Sequence, residues 1–165
     1  MTLNMLPKLK NSRVHKSAMI DIGSIASLSP RSEVFHYSAS KRFCQFYSKG
    51  QSLDQENNDR IDWILVRPAW VSTPMTGNRN QDLFTCTPAD TVAGTLRCLG
   101  KVNMIYGSRK HEILGYFLEL GYMIFGVDFT RFVLYQVILE MHNFIFGIKQ
   151  ESFYDRTIDT DKKTN

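Results

Sequence analysis

The chain has 165 residues, of which 43% are apolar and 22% charged, a composition that suits one globular domain. Its net charge of +4 is scattered along the chain and forms no basic stripe with interleaved aromatic residues, so a nucleic-acid partner is not indicated. Three cysteines without a Cys-x-x-Cys pair and four dispersed histidines favour small buried thiols in a reducing compartment, and they predict no metal site.

The first part of the chain predicts helix, strand and helix. Residues 1–10 are typical of the last part of a helix, and residues 18–23 form a short apolar run that ends in Gly and enters a Ser-rich loop. Over residues 37–49 the aromatic residues recur at helical spacing, and Gly50 is expected to end this helix.

A second buried strand is predicted at residues 61–67, after a polar connection over residues 51–60, and Pro68 stops it. The order helix, strand, helix, strand favours parallel pairing through crossover helices. Residues 69–87 are rich in Thr, Pro, Gly and Asn and predict an irregular loop.

The last part of the chain begins with a helix that we expect to run from Pro88 to about Leu99, with Thr87 as its N-cap. Residues 102–107 predict a third short strand. Residues 111–149 are strongly apolar and aromatic, but charged residues interrupt them, so that no uncharged span of about 18 residues occurs. Paired amphipathic helices are therefore favoured, with aromatic side chains that either pack in a core or contact a membrane surface.

Three polar side chains stand at a spacing that suits proton transfer. Tyr37 follows Ser24 by thirteen positions, and Lys41 follows Tyr37 by four, which on a helix brings both side chains onto one face. A tyrosine hydroxyl is a weak acid, and a neighbouring ammonium favours its ionised form. A serine hydroxyl at the end of a strand can donate a hydrogen bond to the same oxygen atom that the tyrosine protonates. The set predicts acid–base catalysis of carbonyl reduction.

Three blocks of sequence carry a resemblance to a known family. Residues 21–27 (DIGSIAS), 37–41 (YSASK) and 67–75 (RPAWVSTPM) resemble the short-chain dehydrogenases/reductases in order and spacing. The Ser-to-Tyr interval resembles that of the core branch of the family and not the longer interval of the sugar-nucleotide epimerases.

This resemblance implies roles for particular residues. Tyr37 would be the acid–base catalyst, Lys41 would also hold the nicotinamide ribose, and Ser24 would orient the substrate carbonyl. The expected cofactor is NADP(H), and NAD(H) stays open because no residue that would read the ribose phosphate is recognised in this sequence. The loop after the second strand is expected to contact the nicotinamide through Pro68, Val71 and Thr73.

The carboxy-terminal part of the chain resembles a particular group of enzymes within this family. Residues 87–90 (TPAD), Gly107 and the aromatic helical pair look like the very-long-chain 3-oxoacyl-CoA reductases and the related 17-beta-hydroxysteroid dehydrogenases. That likeness implies an acyl-CoA or steroid ketone substrate and the cytosolic face of the endoplasmic reticulum membrane. Lys162 and Lys163 resemble a dilysine retrieval signal, although a solubilising charged tail on a cytoplasmic protein explains them equally well.

Parts of the family pattern do not occur in this sequence. It holds no G-x-x-x-G-x-G turn and no Asn-Ala-Gly, the segments that would cradle the cofactor pyrophosphate. The family's active-site Asn would fall before Met1, and Asn4 is out of register with it. Ala69 stands where the family usually has Gly, which restricts the backbone there. We therefore expect a truncated chain that lacks the cofactor-binding half.

The predicted fold is α/β: the C-terminal half of a Rossmann-like, doubly wound parallel sheet of about three strands, followed by an aromatic-rich helical pair. The expected division is a half Rossmann domain at residues 1–110, an amphipathic helical extension at 111–150 and a polar tail at 151–165. The expected function is NADPH-dependent carbonyl reduction. The alternative is a catalytically inactive remnant or a module that binds a membrane or a partner, and a homodimer through the helix after Tyr37 stays open.

Overall fold

The computed structural model describes residues 2–11, 16–30, 35–55, 61–78 and 80–146. The chain divides into two compact units, Met1–Thr130 and Arg131–Asn165. The first unit holds the strands of two small sheets and the helices around them, and the second is helical as far as Phe146. The domain boundaries expected after residues 110 and 150 stay predictions, and residue 150 lies outside the described residues.

The strands of the main sheet alternate with helices along the chain, as the sequence predicts. The helices are α1 Thr2–Lys10, α2 Phe35–Gln55, α3 Pro88–Cys98 and α4 Arg109–Phe146. The strands are β1 Ser17–Ile22, β2 Ile61–Val66, β3 Trp70–Val71, β4 Thr85–Cys86 and β5 Met104–Ile105. Two short 3-10 turns follow β1 and β3, at Ile25–Leu28 and Pro74–Thr76.

The main sheet is parallel and has the strand order β1-β2-β5. β1 pairs with β2 along its whole length, from Ser17 opposite Ile61 to Ile22 opposite Val66, and β5 pairs with the end of β2. The helices α2 and α3 are the crossover connections, as parallel strands require. The prediction of an α/β fold with a parallel sheet of about three strands is confirmed.

The central strand β2 is buried on both faces, which explains its nearly continuous apolar sequence. On one face Ile64 and Val66 pack with Ile105, and Cys98 and Leu99 from the end of α3 lie against them.

The opposite face of β2 meets α2. There the Trp63 indole Nε1 donates to the Ser48 hydroxyl of α2 at 3.0 Å and to the Asp21 carboxylate at 2.7 Å. Because successive side chains of a strand alternate between its faces, α2 and α3 cover opposite sides of the sheet.

At the outer edge, β1 is less well covered than β2. Its side chains alternate between half-buried and exposed, and Ile22 is 56% exposed although it lies in a strand of the main sheet. β1 pairs only with β2 among the described strands. Both the edge of β1 and part of its face are therefore open.

Helix α4 consists of two helical parts that meet at Gly126, whose φ of 81° lies in the left-handed region that favours glycine. In the first part, His111, Gly115 and Leu118 are buried at helical spacing. A Cβ on Gly115 would lie 2.2 Å from the Tyr106 ring, so this face of α4 sits directly on that ring. The predicted extension to residue 150 ends outside the described residues.

Two local expectations were wrong. Gly50 does not end α2, which continues to Gln55, because Gly50 keeps a helical backbone and has no neighbouring atom to accommodate. Residues 69–87 are not wholly irregular, since β3 and β4 pair in parallel within them, Trp70 with Thr85 and Val71 with Cys86. Strands of two residues carry too little periodicity to be recognised in the sequence.

Candidate active site

Ser24 stands where β1 has ended and the backbone turns into the following 3-10 turn. Its own backbone is extended, and its hydroxyl oxygen accepts a hydrogen bond from the Ala26 N–H at 3.2 Å as the cap of that turn. The side chain is buried. Because the backbone N–H uses one lone pair of the oxygen, the hydroxyl proton stays available for donation to another group.

Tyr37 and Lys41 lie one turn apart near the start of α2, as their spacing predicts. The Lys41 ammonium lies 5.6 Å from the centroid of the Tyr37 ring and donates to the Ile22 carbonyl oxygen at 3.0 Å. Ile22 is the last residue of β1, two positions before Ser24. The contact therefore brings the tyrosine, the lysine and the serine to the same end of β1.

The Tyr37 ring is 42% exposed, and among the described residues its hydroxyl has no hydrogen-bond partner. The backbone beneath it is fixed, since the Ser40 hydroxyl donates to the Tyr37 carbonyl oxygen at 2.7 Å. An exposed hydroxyl on a fixed helical turn is free to meet a ligand.

The end of β1 is tied to the end of β2. The Gly23 N–H donates to the Val66 carbonyl oxygen at 2.7 Å, and the Ile25 N–H donates to the Pro68 carbonyl oxygen at 3.0 Å. A Cβ on Gly23 would lie 3.2 Å from the Arg67 Cγ, so this junction is tightly packed. Pro68 is thereby placed beside Ser24.

Val71 and Thr73 lie further along the same loop, each held by other parts of it. Val71 is in β3, and the Ser72 N–H donates to the Cys86 carbonyl oxygen at 2.9 Å. The Thr73 N–H donates to the Thr76 hydroxyl at 3.0 Å, and the same hydroxyl contacts the Val71 carbonyl oxygen. The loop is therefore internally braced, with its path set by the backbone at Val71 and Thr73.

His111 was not singled out by the sequence, yet it connects three segments at this edge of the sheet. Its Nδ1 accepts from the Ala69 N–H at 3.3 Å, its Nε2 donates to the Phe84 carbonyl oxygen at 2.9 Å, and the Cys86 Sγ lies 3.7 Å from Nδ1. Burial lowers the pKa of His111, which favours the neutral ring that this arrangement needs. Its partners are mostly backbone atoms distant in the chain, so no spacing in the sequence announces the contact.

A second buried cluster holds α4 to the sheet. The Arg67 guanidinium donates to the Tyr106 hydroxyl at 2.7 Å and forms an ion pair with Glu119 of α4. Burial raises the pKa of Tyr106 far above its ordinary value, so its hydroxyl stays neutral. The Glu112 carboxylate accepts from the Tyr106 N–H at 2.7 Å. The cluster is structural, since it keeps α4 against the end of β2.

Within the residues that the structure describes, no group of three or more His, Cys, Asp or Glu side chains is placed to hold a metal ion. The described cysteines are free thiols: Cys86 is buried, and Cys44 and Cys98 are half-buried. None of the helices over the described ranges combines the length and the apolar content needed to cross a bilayer.

Comparison with known proteins gives a family match and distant relatives. The family model described as short chain dehydrogenase matches residues 1–83. The chain is 30% identical to a 17-beta-hydroxysteroid dehydrogenase type 3 of Danio rerio over 111 residues, which cover 67% of this chain and 35% of that protein. It is 28% identical to a very-long-chain 3-oxoacyl-CoA reductase-A of the same organism over 116 residues, 70% of this chain and 35% of that protein.

A putative steroid dehydrogenase 1 of Caenorhabditis elegans is 31% identical over 96 residues, 58% of this chain and 30% of that protein. The chain thus spans about a third of the length of the curated relatives it matches. No solved structure matches it.

Proposed function

Because the chain belongs to the short-chain dehydrogenase family, we propose that it carries the proton-transfer site of an NADPH-dependent carbonyl reductase. The observation that carries the proposal is the meeting of Ser24, Tyr37 and Lys41 at the end of β1, where the Lys41 ammonium bridges the Tyr37 ring and the Ile22 carbonyl oxygen. The family match covers all three residues.

The proposed chemistry assigns one task to each side chain. Tyr37 donates its hydroxyl proton to the carbonyl oxygen of the substrate as negative charge develops there. Ser24 donates a hydrogen bond to the same oxygen, using the proton that its capping role leaves available. Lys41 places a positive charge beside the Tyr37 ring and stabilises the phenolate that remains. A bound nicotinamide nucleotide supplies the hydride.

The residues at this edge fit the nicotinamide end of such a cofactor. The Lys41 ammonium has three donors, of which the Ile22 carbonyl oxygen takes one, so two remain for ribose hydroxyls. The exposed Tyr37 hydroxyl lies on the same helical face as Lys41. The braced loop would present Pro68, Val71 and Thr73 to the nicotinamide ring. The residues that would distinguish NADP(H) from NAD(H) are not assigned to this chain.

The substrate that we propose is a ketone on a largely apolar molecule. Met75 and Leu83, on the loop between β3 and β4, are 85% and 70% exposed. Exposed apolar side chains suit an apolar ligand that covers them. The relatives named above are steroid dehydrogenases and a 3-oxoacyl-CoA reductase, so a steroid ketone and a 3-oxoacyl-CoA are the two candidate substrates.

The test of this proposal is the substitution Tyr37→Phe, which removes the proton donor and keeps the ring. We expect reduction of a 3-oxoacyl-CoA or a steroid ketone, followed by the loss of NADPH absorbance, to fall by about 100-fold or more. Tyr47→Phe, on the same helix and stacked on Phe43, is the matched control and should keep the activity. Full activity of the Tyr37→Phe protein would refute the assigned role.

The alternative function is a catalytically inactive remnant or a module that binds a membrane or a partner. Titration of the protein with NADPH separates the two functions, because a reductase must bind the nucleotide and a remnant need not. Saturable binding that weakens on Lys41→Met supports the reductase. No binding under any condition, together with folded protein by circular dichroism, supports the alternative.

One observation favours a membrane contact in addition to the reductase site. The face of α4 opposite its buried residues carries a stripe of exposed apolar side chains at helical spacing, which we call the α4 apolar face. It consists of Ile113, Tyr116, Phe117, Leu120 and Ile124. We propose that this face lies in the interface of a bilayer, and that the protein resides on the cytosolic face of the endoplasmic reticulum.

A homodimer is proposed through a different surface. Phe43, Phe46 and Leu53 of α2 are exposed at spacings of three and seven residues, which places them on one side of the helix. A second copy of α2 packed against this side would bury them. This surface is distinct from the α4 apolar face.

A further inference from the structure

A cavity of about 500 Å³ lies between α3, the chain before β4 and the beginning of α4. Its lining includes Cys86 of β4 and the small residues Ala93 and Gly94 of α3. Neither Ser24, Tyr37 nor Lys41 lines it, so it is distinct from the proton-transfer site. The charged or polar lining residues are Gln81, Asp90, Arg97, Ser108, Arg109 and Lys110.

The charge of the cavity is strongly unbalanced. Three cationic side chains, Arg97, Arg109 and Lys110, line it together with one carboxylate, that of Asp90. Within the described ranges no ion pair involves either arginine. Lys110 donates to the Asp82 carbonyl oxygen at 2.8 Å, which is a neutral acceptor. The cavity therefore has a net positive charge and unused guanidinium donors.

Asp90 offsets only one of these three positive charges, and its carboxylate is held at the start of α3. It accepts from the Thr87 hydroxyl at 2.7 Å and from the Thr87 N–H at 3.2 Å in the capping box that begins the helix. Those hydrogen bonds hold the pKa of Asp90 below its ordinary value. The carboxylate is thus fixed at the start of α3, and the arginines are free to meet an anionic ligand.

The cavity and the proton-transfer site lie along the same edge of the sheet. Ser24 follows the end of β1 and Ser108 follows the end of β5, and the strand order is β1-β2-β5. Two strand spacings of about 4.8 Å therefore separate the two strand ends, roughly 10 Å in all. The two sites are also linked through His111, which contacts Ala69 on one side and Cys86 of the cavity on the other. One extended ligand can reach both.

From this arrangement we infer that the cavity binds the phosphate groups of a coenzyme A thioester whose 3-oxo group lies at Tyr37. The inference rests on the proposed reductase function and decides between its two candidate substrates. A steroid carries no anionic group for Arg97, Arg109 and Lys110, whereas coenzyme A carries phosphates at the end opposite its thioester. Arginine is the side chain best suited to hold phosphate oxygens in pairs.

The test is equilibrium binding of coenzyme A to the full chain, measured by isothermal titration calorimetry. We expect saturable binding that weakens about tenfold or more on Arg97→Gln and on Arg109→Gln. Lys101→Gln removes the same charge from a residue just beyond α3 that does not line the cavity, and it should change the affinity less than twofold. Far-ultraviolet circular dichroism of each variant checks that it is folded.

Three further ligands identify the source of the phosphate. Adenosine should not bind, dephospho-coenzyme A should bind more weakly than coenzyme A, and inorganic phosphate should compete only at much higher concentration. Competition by inorganic phosphate at the same concentration as coenzyme A would make the cavity a general anion site and overturn the inference. Displacement of coenzyme A by NADPH would also overturn it, because the cavity would then belong to the cofactor.

Failure of this inference and failure of the proposed function give different results. If Tyr37→Phe has no effect on reduction but Arg97→Gln still weakens coenzyme A binding, the catalytic assignment fails and the cavity stands. If reduction depends on Tyr37 and coenzyme A does not bind, or binds equally to all variants, the cavity assignment fails.

Discussion

At the scale of single residues, His111 shows how one neutral side chain holds a loop in place. It receives the Ala69 N–H from the loop after β2 and gives its own N–H to the Phe84 carbonyl oxygen before β4. Both contacts require one protonated and one unprotonated ring nitrogen. If Nδ1 were also protonated, its N–H would face the Ala69 N–H and the hydrogen bond between them would be lost. The doubly protonated ring is therefore incompatible with this geometry.

The pH dependence of stability should therefore report on His111. Its pKa is lowered in the folded chain, whereas in the unfolded chain it is about 6.5. As the pH falls below that value the unfolded chain binds the proton first, so stability present above about pH 7 is progressively lost. We expect the free energy of unfolding in urea to be lower at pH 5.5 than at pH 7.5, and His111→Gln to reduce that difference.

His36, which is exposed at the start of α2, provides the control for this measurement. His36→Gln should leave the difference between the two pH values unchanged. Cys86 and Lys110 are the other titratable groups that face His111. An unchanged pH dependence in the His111→Gln protein would show that this ring is not responsible.

Some contacts of the candidate site can be predicted from the sequence, and others cannot. The meeting of Tyr37 with Lys41 follows from their spacing on one helix, and a strand end before them places Ser24. The contacts of His111 and the Arg67–Glu119 ion pair join positions 42 and 52 residues apart. Such contacts depend on how α4 returns to the sheet, which no local pattern encodes.

At the scale of elements, α3 is the helix whose position is most tightly constrained. The sequence predicts its start, because Thr87 suits the N-cap and Pro88 suits the first helical position. In the structure, Thr87 and Asp90 form a capping box. What the sequence does not reveal is its contact with the segment after β5. A Cβ on Gly94 would lie 2.0 Å from the Gly107 carbonyl oxygen, so the two backbones touch.

Two glycine substitutions should distinguish the effect of this backbone contact on stability from the general effect of replacing glycine by alanine in a helix. Gly94→Ala must push α3 away from Gly107 and should destabilise the protein by about 1–3 kcal/mol. Gly50→Ala, in α2 with no atom near the new methyl group, should stabilise it by about 0.5–1 kcal/mol. Urea unfolding followed by circular dichroism measures both, and effects of the same sign would contradict the contact.

Other elements were predicted less well for physical reasons. The end of α2 was placed at Gly50 because glycine often ends helices, but the helix continues since nothing forces a left-handed residue there. Strands β3 and β4 were missed because each depends on the other and not on its own sequence. The parallel pairing of β1 and β2 was predicted, since both are apolar and a helix connects them.

At the scale of the whole molecule, apolar side chains remain exposed on several surfaces. The α4 apolar face and the exposed side of α2 lie on two different helices, and Ile22 adds to them at the edge of the main sheet. Surfaces of this kind are contact sites in stable proteins. A bilayer is the proposed partner of the α4 apolar face because its exposed residues include Tyr116, a residue type enriched at the interface between lipid and water, and Phe117, which suits the apolar face of an interfacial helix.

Flotation of the protein with uncharged phosphatidylcholine vesicles tests this partner without a contribution from basic residues. We expect the protein to float with the vesicles, and Phe117→Glu combined with Leu120→Glu to abolish flotation, because both charges would enter the lipid interface. Val92→Glu combined with Leu96→Glu places the same two charges on exposed positions of α3, and this protein should float normally. Equal flotation of all three proteins would contradict a specific role of this helix face.

The pairing of β3 with β4 has a consequence for how this molecule can be altered. It closes residues 72–84 into a loop whose two ends are fixed by backbone hydrogen bonds next to each other. Doubling the length of such a loop costs only about 0.6 kcal/mol in closure entropy. Segments of different length and sequence can therefore be exchanged after Thr76, beyond the turn that holds Thr73, while the sheet and the Tyr37 helix stay as they are. Under the proposed reductase function, insertion and recombination in this loop would change the substrate range, in addition to point substitution.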